Sequence, residues 1–284
     1  MNNGINLTRF GFELGDGTSY GASLIGWGNW QRQCHTNAST NVRVEMLPNN
    51  TKGDGMLVIQ AAPAPDGYSC YNPNAPASTA AYTSARVITR NKAAWMWSGA
   101  PGNSTPVRID IRLRVPQVNG TWASAWMLPD TTQPWCMGCS KYGNGWCLGG
   151  EIDLMEHINT RPVTISNLRY GGRPDASWLD CKDTHAAWSM GGRATNWNTF
   201  SVIWDSTYMS FIANGKEYKR HALGSWYTGT APDNKYAPFD VPFYLIFDLA
   251  VGGLYPGFNI DNAAVAEGRT RMEIDWIKVY DIVP

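Results

Sequence analysis

Residues 149 to 157 read GGEIDLMEH and bring Glu151, Asp153 and Glu156 within six positions, with no lysine or arginine among them. On a β-strand, residues two apart share a face, so Glu151 and Asp153 point together while Ile152 and Leu154 point into the opposite layer. Strict alternation would send Glu156 to the wrong side. A β-bulge at Leu154 and Met155 inserts one extra residue and returns Glu156 to the face of the other two. The two glutamates then stand about four strand residues apart, roughly 13 Å between Cα atoms at ~3.3 Å per residue, and inward-leaning side chains close much of that distance. Paired carboxyl groups cleave glycosidic bonds with retention at ~5 to 5.5 Å and with inversion at ~6.5 to 9.5 Å. Two glutamates converging from one strand suit the closer arrangement. Asp153 between them would hydrogen-bond Glu151 and drive the two glutamate pKa values apart. The same residues also admit a solvated strand face or a metal site.

The strands that must position these acids are legible in the alternation. VRIDIRLRV at Val107 to Val115 puts Val107, Ile109, Ile111, Leu113 and Val115 on one face and Arg108, Asp110, Arg112 and Arg114 on the other, the mark of a half-buried strand. Similar runs occur at Met56 to Ala61, Ser84 to Thr89, Val163 to Tyr170, Phe200 to Trp204, Phe243 to Val251 and Met272 to Tyr280. In MSFIANGKEY the Asn214-Gly215 pair predicts a tight hairpin. No long amphipathic helix and no repeat is apparent, so the pattern predicts an all-β sandwich or barrel over a single 1–284 unit. The tripeptide EID returns at Glu273 to Asp275, but with Arg271 and Lys278 nearby and no third acid; that copy reads as structural. Ala62 to Ala81 and Pro129 to Cys147 are longer than ordinary connections, and such loops tend to be functional.

Composition narrows the partner. The 23 basic and 23 acidic residues cancel, which gives no electrostatic footprint for nucleic acid or an anionic membrane. No apolar run is long enough to span a bilayer. Tryptophan is abundant, with 14 Trp beside 13 Tyr, more flat amphipathic faces than a core uses. The six cysteines, Cys34, Cys70, Cys136, Cys139, Cys147 and Cys181, are compatible with three disulfides in any of 15 pairings. With N-x-Ser/Thr acceptors at Asn6, Asn37, Asn49, Asn103 and Asn119, they predict a secreted protein whose leader has been removed. Zinc held by the Cys136, Cys139 and Cys147 cluster is the competing reading, which lacks a fourth ligand at suitable spacing.

In E-x-D-x-x-E at Glu151 to Glu156 the chain resembles the bulged members of glycoside hydrolase family 16, laminarinase-like branch. The resemblance extends to YTSARVIT at Tyr82 to Thr89, GTWASAWMLP at Gly120 to Pro129, YGG at Tyr170 to Gly172, PFDVPFYLIFDLAVGG at Pro238 to Gly253 and IDWIKVY at Ile274 to Tyr280. It implies a β-jelly-roll sandwich of two curved antiparallel sheets with a concave substrate cleft. It further implies a retaining, endo-acting hydrolase of β-1,3-glucan, or of mixed-linkage β-1,3-1,4-glucan, acting as a monomer without a catalytic cofactor. Glu151 matches the nucleophile, Asp153 its assisting acid and Glu156 the general acid/base. Trp122 and Trp126 match a sugar-stacking wall, and Arg86, Asn29, Trp146 and Arg169 are expected as further substrate contacts. Relatives' histidines near the acid/base are replaced by Ile165 and Arg169, and Arg169, if it reaches Glu156, would favour its ionised form; Gln31 stands where many relatives have glutamate. A structural Ca2+ on the convex side is implied at Glu13 and Asp275. Two rival activities share these residues: transglycosylation on the same glucans, and glucan binding without turnover.

Overall fold

A computed structural model describes residues 4–47, 55–70, 78–131, 139–143, 145–176, 179–190 and 194–282. Two antiparallel sheets pack face to face. One runs in the order Gly11–Phe12, Arg86–Ile88, Phe243–Val251, Thr121–Pro129, Glu151–Ile158, Val163–Gly171 and Cys181–Asp183, with Ala186–Ser189 also pairing with Val163–Gly171. The other runs Lys216–Ala222, Tyr208–Ala213, Asn198–Trp204, Val107–Arg114, Arg271–Asp281, Gly55–Gln60 and Val42–Met46. Hairpin neighbours such as Thr121–Pro129, Glu151–Ile158 and Val163–Gly171 alternate with pairs distant in the chain, such as Phe243–Val251 beside Thr121–Pro129 and Arg271–Asp281 beside Val107–Arg114, the jelly-roll pattern of strands crossing between layers.

The core between the sheets is filled by the alternating apolar positions. It draws Ile109, Ile111 and Leu113 from one sheet and Ala125, Met127, Phe243, Leu245 and Phe247 from the other. The inward row of the strand Phe243–Val251 continues through Leu249 and Val251, and all five of its residues are fully buried. The other row, Tyr244, Ile246 and Asp248, is buried as well. Ile88, Leu128 and Trp126 pack against Tyr244 and Ile246, so this face is covered by its own neighbours instead of meeting solvent. That cover accounts for a nearly continuous apolar run in an antiparallel strand, where one-sided alternation is the rule. In the opposite sheet the outward arginines of Val107–Arg114 are neutralised in place: Arg108 pairs with Asp110, Arg112 with Asp275 and Arg114 with Glu273. The second EID copy is thus structural, as expected, its acids joining an ion-pair ladder with arginines of the neighbouring strand.

The hairpin forms between Tyr208–Ala213 and Lys216–Ala222, with Asn214 and Gly215 at φ of 49° and 80°, the conformation that a tight Asn-Gly turn requires. Thr121–Pro129, marked in the sequence only by its motif, is a central strand. The segment expected as one long loop from Ala62 to Ala81 contains the short strands Ala62–Pro63, Ser69–Cys70 and Ser78–Thr79. Cys34 is bonded to Cys70, and Cys147 to Cys181. The second disulfide takes Cys147 out of the zinc reading and ties the turn before the acids to the sheet edge; Cys136 lies outside the described residues. Among the described residues no helix is long and apolar enough to cross a membrane.

Candidate active site

The bulge falls where the sequence predicts it. Ala125 pairs with Met155 and Trp126 with Asp153, so Leu154 is the extra residue. On the other side Asp153 pairs with Asn167 and Glu156 with Ile165, again three steps against two. Ile152, Leu154 and Met155 enter the core, while Glu151, Asp153 and Glu156 line one cleft of about 500 Å³. The neighbouring strand contributes Trp122, Ser124 and Trp126 to the same cleft and Ala123, Ala125 and Met127 to the core, the ordinary alternation of a strand between two layers.

Burial sets the electrostatics. Only 5% of Glu151, 3% of Asp153 and 7% of Glu156 is exposed, and loss of water disfavours each charged form. The pKa of Glu156 is pushed up to about 8, first by burial and then by the charge of Glu151. One donor opposes this: Trp122 Nε1 donates to Glu156 Oε1 at 2.9 Å. Burial also raises Glu151, but the Arg169 charge and a hydrogen bond donated by Trp146 Nε1 both act to lower it. Asp153 is held well above the usual carboxylate range by burial and then by the charges of Glu151 and Glu156. Of the two glutamates, Glu151 therefore has the stronger support for its anion. A carboxylate supported in this way beside a carboxylic acid that keeps its proton is the pairing that acid-assisted nucleophilic displacement needs.

Arg169 contacts Glu151 and not Glu156, although its charge still acts to lower the Glu156 pKa. Its Nε lies 3.5 Å from Glu151 Oε1 and 3.1 Å from Asp183 Oδ1, and its guanidinium sits over the Trp146 ring at 4.1 Å. This placement follows from register, since Glu151 and Arg169 are direct cross-strand partners, whereas Glu156 faces Ile165. It also supplies the basic neighbour that the acidic stretch lacks in sequence. His157 is 1% exposed, with Nε2 2.9 Å from the Arg161 carbonyl oxygen, a structural role.

The remaining expected contacts, Asn29, Arg86, Trp122, Trp126 and Trp146, line the cleft too. Arg86 is a support beneath it: only 3% exposed, it lies between the Trp27 and Trp126 rings at 4.4 and 4.7 Å and donates to Glu13 Oε2 at 2.6 Å. That bond corrects the calcium assignment. The Glu13 carboxylate is held by Arg86 and Arg90, while Asp275 is paired with Arg112 in the other sheet. Two carboxylates already neutralised by arginine do not fit a shared hard-cation site, and among the described residues no cluster of three or more His, Cys, Asp or Glu could hold a metal.

Sequence reasoning passed over several cleft residues. Asp248 accepts from Trp126 Nε1 at 2.7 Å and is 5% exposed; an acid inside the apolar run FYLIFDLAV was the available signal. Tyr255 meets the Trp122 ring edge-on at 5.0 Å from a turn that carries no periodic pattern. Ser124, opposite both Glu156 and Asp248, reads as an ordinary small strand residue.

No family model matches the chain. It is 30% identical over 283 residues to a glucan endo-1,3-beta-glucosidase of Cryptopygus antarcticus, covering 98% of this chain and 88% of that protein. It is also 30% identical over 277 residues to glucan endo-1,3-beta-glucosidase A1 of Niallia circulans, covering 97% of this chain but 36% of that protein, so it spans little more than a third of that relative. Among solved structures, the laminarinase from Rhodothermus marinus superposes with a TM-score of 0.71 at 25% identity, covering 99% of this chain and 93% of that one. The endo-beta-1,3-glucanase from Pyrococcus furiosus gives 0.69 at 26% identity, with 98% and 90% covered. Likeness sustained over nearly the full length of both chains, on the same two-sheet fold, carries the conclusion that this chain belongs to glycoside hydrolase family 16, in its laminarinase-like branch.

Proposed function

We propose that the chain is an endo-acting β-1,3-glucan hydrolase that retains anomeric configuration, with mixed-linkage β-1,3-1,4-glucan as a second substrate. The observation that carries the reading is the bulge at Leu154, which returns Glu156 to the face of Glu151, where burial and the Glu151 charge hold the proton on Glu156 while Arg169 and Trp146 partly offset the burial of the Glu151 anion. Glu151 attacks the anomeric carbon while Glu156 gives its proton to the departing glycosidic oxygen. The bond to the sugar consumes the Glu151 charge, which is the second-largest cause of the high Glu156 pKa. Glu156 then releases its proton more readily and serves as the base that activates water. Asp153, whose burial and two acidic neighbours favour its protonated form, bonds Glu151 and assists its departure. Trp122 and Trp126 offer rings to the apolar faces of the sugars.

The disulfides Cys34–Cys70 and Cys147–Cys181 favour an extracellular setting, where such bonds persist. The decisive experiment compares product release from laminarin, lichenan, agarose, carrageenan and xyloglucan, with NMR of the first-formed anomer. Silence on both glucans sinks the substrate assignment, and an initially inverted product sinks the double displacement.

A further inference from the structure

Beside the catalytic cleft lies a second groove of about 480 Å³, walled by residues of segment 25–33 on one side and of 64–67 and 78–81 on the other. Gln31 lines both the groove and the cleft, so the two adjoin across one side chain. The turn that builds this wall depends on Gly26, at φ 57°, where a Cβ would come within 2.6 Å of the Gln31 backbone nitrogen.

Trp30 is the unexplained residue of this wall. Its φ is 57°, a left-handed conformation that costs an L-residue about 1–2 kcal/mol. Trp27 has nearly the same φ, 56°, but only 5% of it is exposed and its ring packs on Arg86 at 4.4 Å and His35 at 5.2 Å. Trp30 is 61% exposed, so burial of its own ring does not offset the strain. A strained residue that presents an unburied aromatic face to a groove fits a ligand role. Next to it, Gln31 Oε1 accepts from Gln33 Nε2 at 2.6 Å, which leaves the Gln31 amide N–H groups available. The buried Asp16 carboxylate, bonded by Thr18 and Ser78, adds acceptor capacity at the groove wall. A flat apolar ring flanked by amide donors and a carboxylate acceptor matches a neutral pyranose, whose faces are apolar and whose rim is hydroxylated.

We propose that this groove binds a glucopyranosyl unit of the same glucan chain whose scissile bond lies in the cleft. The proposal rests on the glucanase reading above and extends it beyond the cleft. The unit is either the next residue of the main chain or a side-branch residue, and the substrate distinguishes the two sources.

The test is steady-state kinetics of Trp30→Ala and Trp30→Tyr on three substrates: a laminari-oligosaccharide short enough to stay within the cleft, a long linear β-1,3-glucan, and branched laminarin. Trp30→Ala should raise KM about tenfold, the equivalent of about one stacked ring contact, with kcat unchanged. The rise on both polymers identifies a main-chain unit, and a rise on branched laminarin alone identifies a branch. The short substrate should be turned over as by the parent, and Trp30→Tyr should recover most of the affinity. Trp30→Gly, which relieves the left-handed strain, should fold at least as stably as the parent and share the KM effect. Parent-like KM values for Trp30→Ala on both polymers, or an equal loss on the short substrate, overturn the proposal. If the parent cleaves none of the three, the glucanase reading fails and the proposal falls with it.

Discussion

Replacing Trp122 by phenylalanine isolates one hydrogen bond in the proton economy of the cleft. The indole Nε1 donates to Glu156 Oε1 at 2.9 Å, while the ring rests against Tyr255; phenylalanine keeps an aromatic face and removes only the donor. That donor favours the ionised carboxylate, so its loss must favour the protonated one. The pKa of Glu156, already pushed up to about 8, therefore rises further. Hydrogen bonds to charged groups contribute about 1.5–3 kcal/mol, and water can replace part of this bond because Trp122 is only half-buried. The lower end applies, about 1.5 kcal/mol, which corresponds to roughly one pH unit. The assay is kcat/KM on laminarin against pH, whose alkaline limb reports the acid of the free enzyme. The parent limb should fall near pH 8 and that of the variant about one unit higher. A limb that stays in place or moves down, in a variant with native near-UV circular dichroism, refutes the assignment of Glu156 as the acid or of Trp122 as its donor.

Three further outcomes follow from the same contacts. Arg169→Met removes the cation that lowers the Glu151 pKa, so the acidic limb of the laminarin profile should move to higher pH, and an unmoved limb would show that Arg169 does not act on Glu151. Arg86→Met leaves the buried Glu13 and Asp248 short of a cation and should destabilise the fold by about 3–5 kcal/mol, as breaking a buried ion pair does; urea unfolding of the variant measures it. For Glu156 the folded-state pKa is raised from 4.5 to about 8, so the native state binds more protons than the unfolded chain in that window and stability falls as pH rises through it. Glu156→Gln should then melt higher than the parent at about pH 8 and nearly equal to it at about pH 4, and equal melting temperatures at both pH values would contradict the buried, protonated acid.

The sequence alone determined the alternation of the strands, the Asn-Gly hairpin and the bulge, because each is a local consequence of side-chain period. GGEIDLMEH has to bulge if Ile152 and Leu154 are to enter the core and Glu156 is to join Glu151. RMEIDWIKVY differs locally in lacking the extra residue and the third acid, while the ion-pair ladder of its acids with Arg112 and Arg114 comes from strand pairing. What the sequence could not decide was which distant group stands beside which. Arg169 lies 18 positions after Glu151 and is its cross-strand partner through register. Tyr255 joins the cleft through loop packing that no local pattern encodes. Arg86 claims Glu13 from a neighbouring strand, and so a carboxylate that looks free to bind a cation in sequence is already neutralised. Charge, pKa and ligand capacity depend on neighbours through space, and only the packing of the two sheets supplies those.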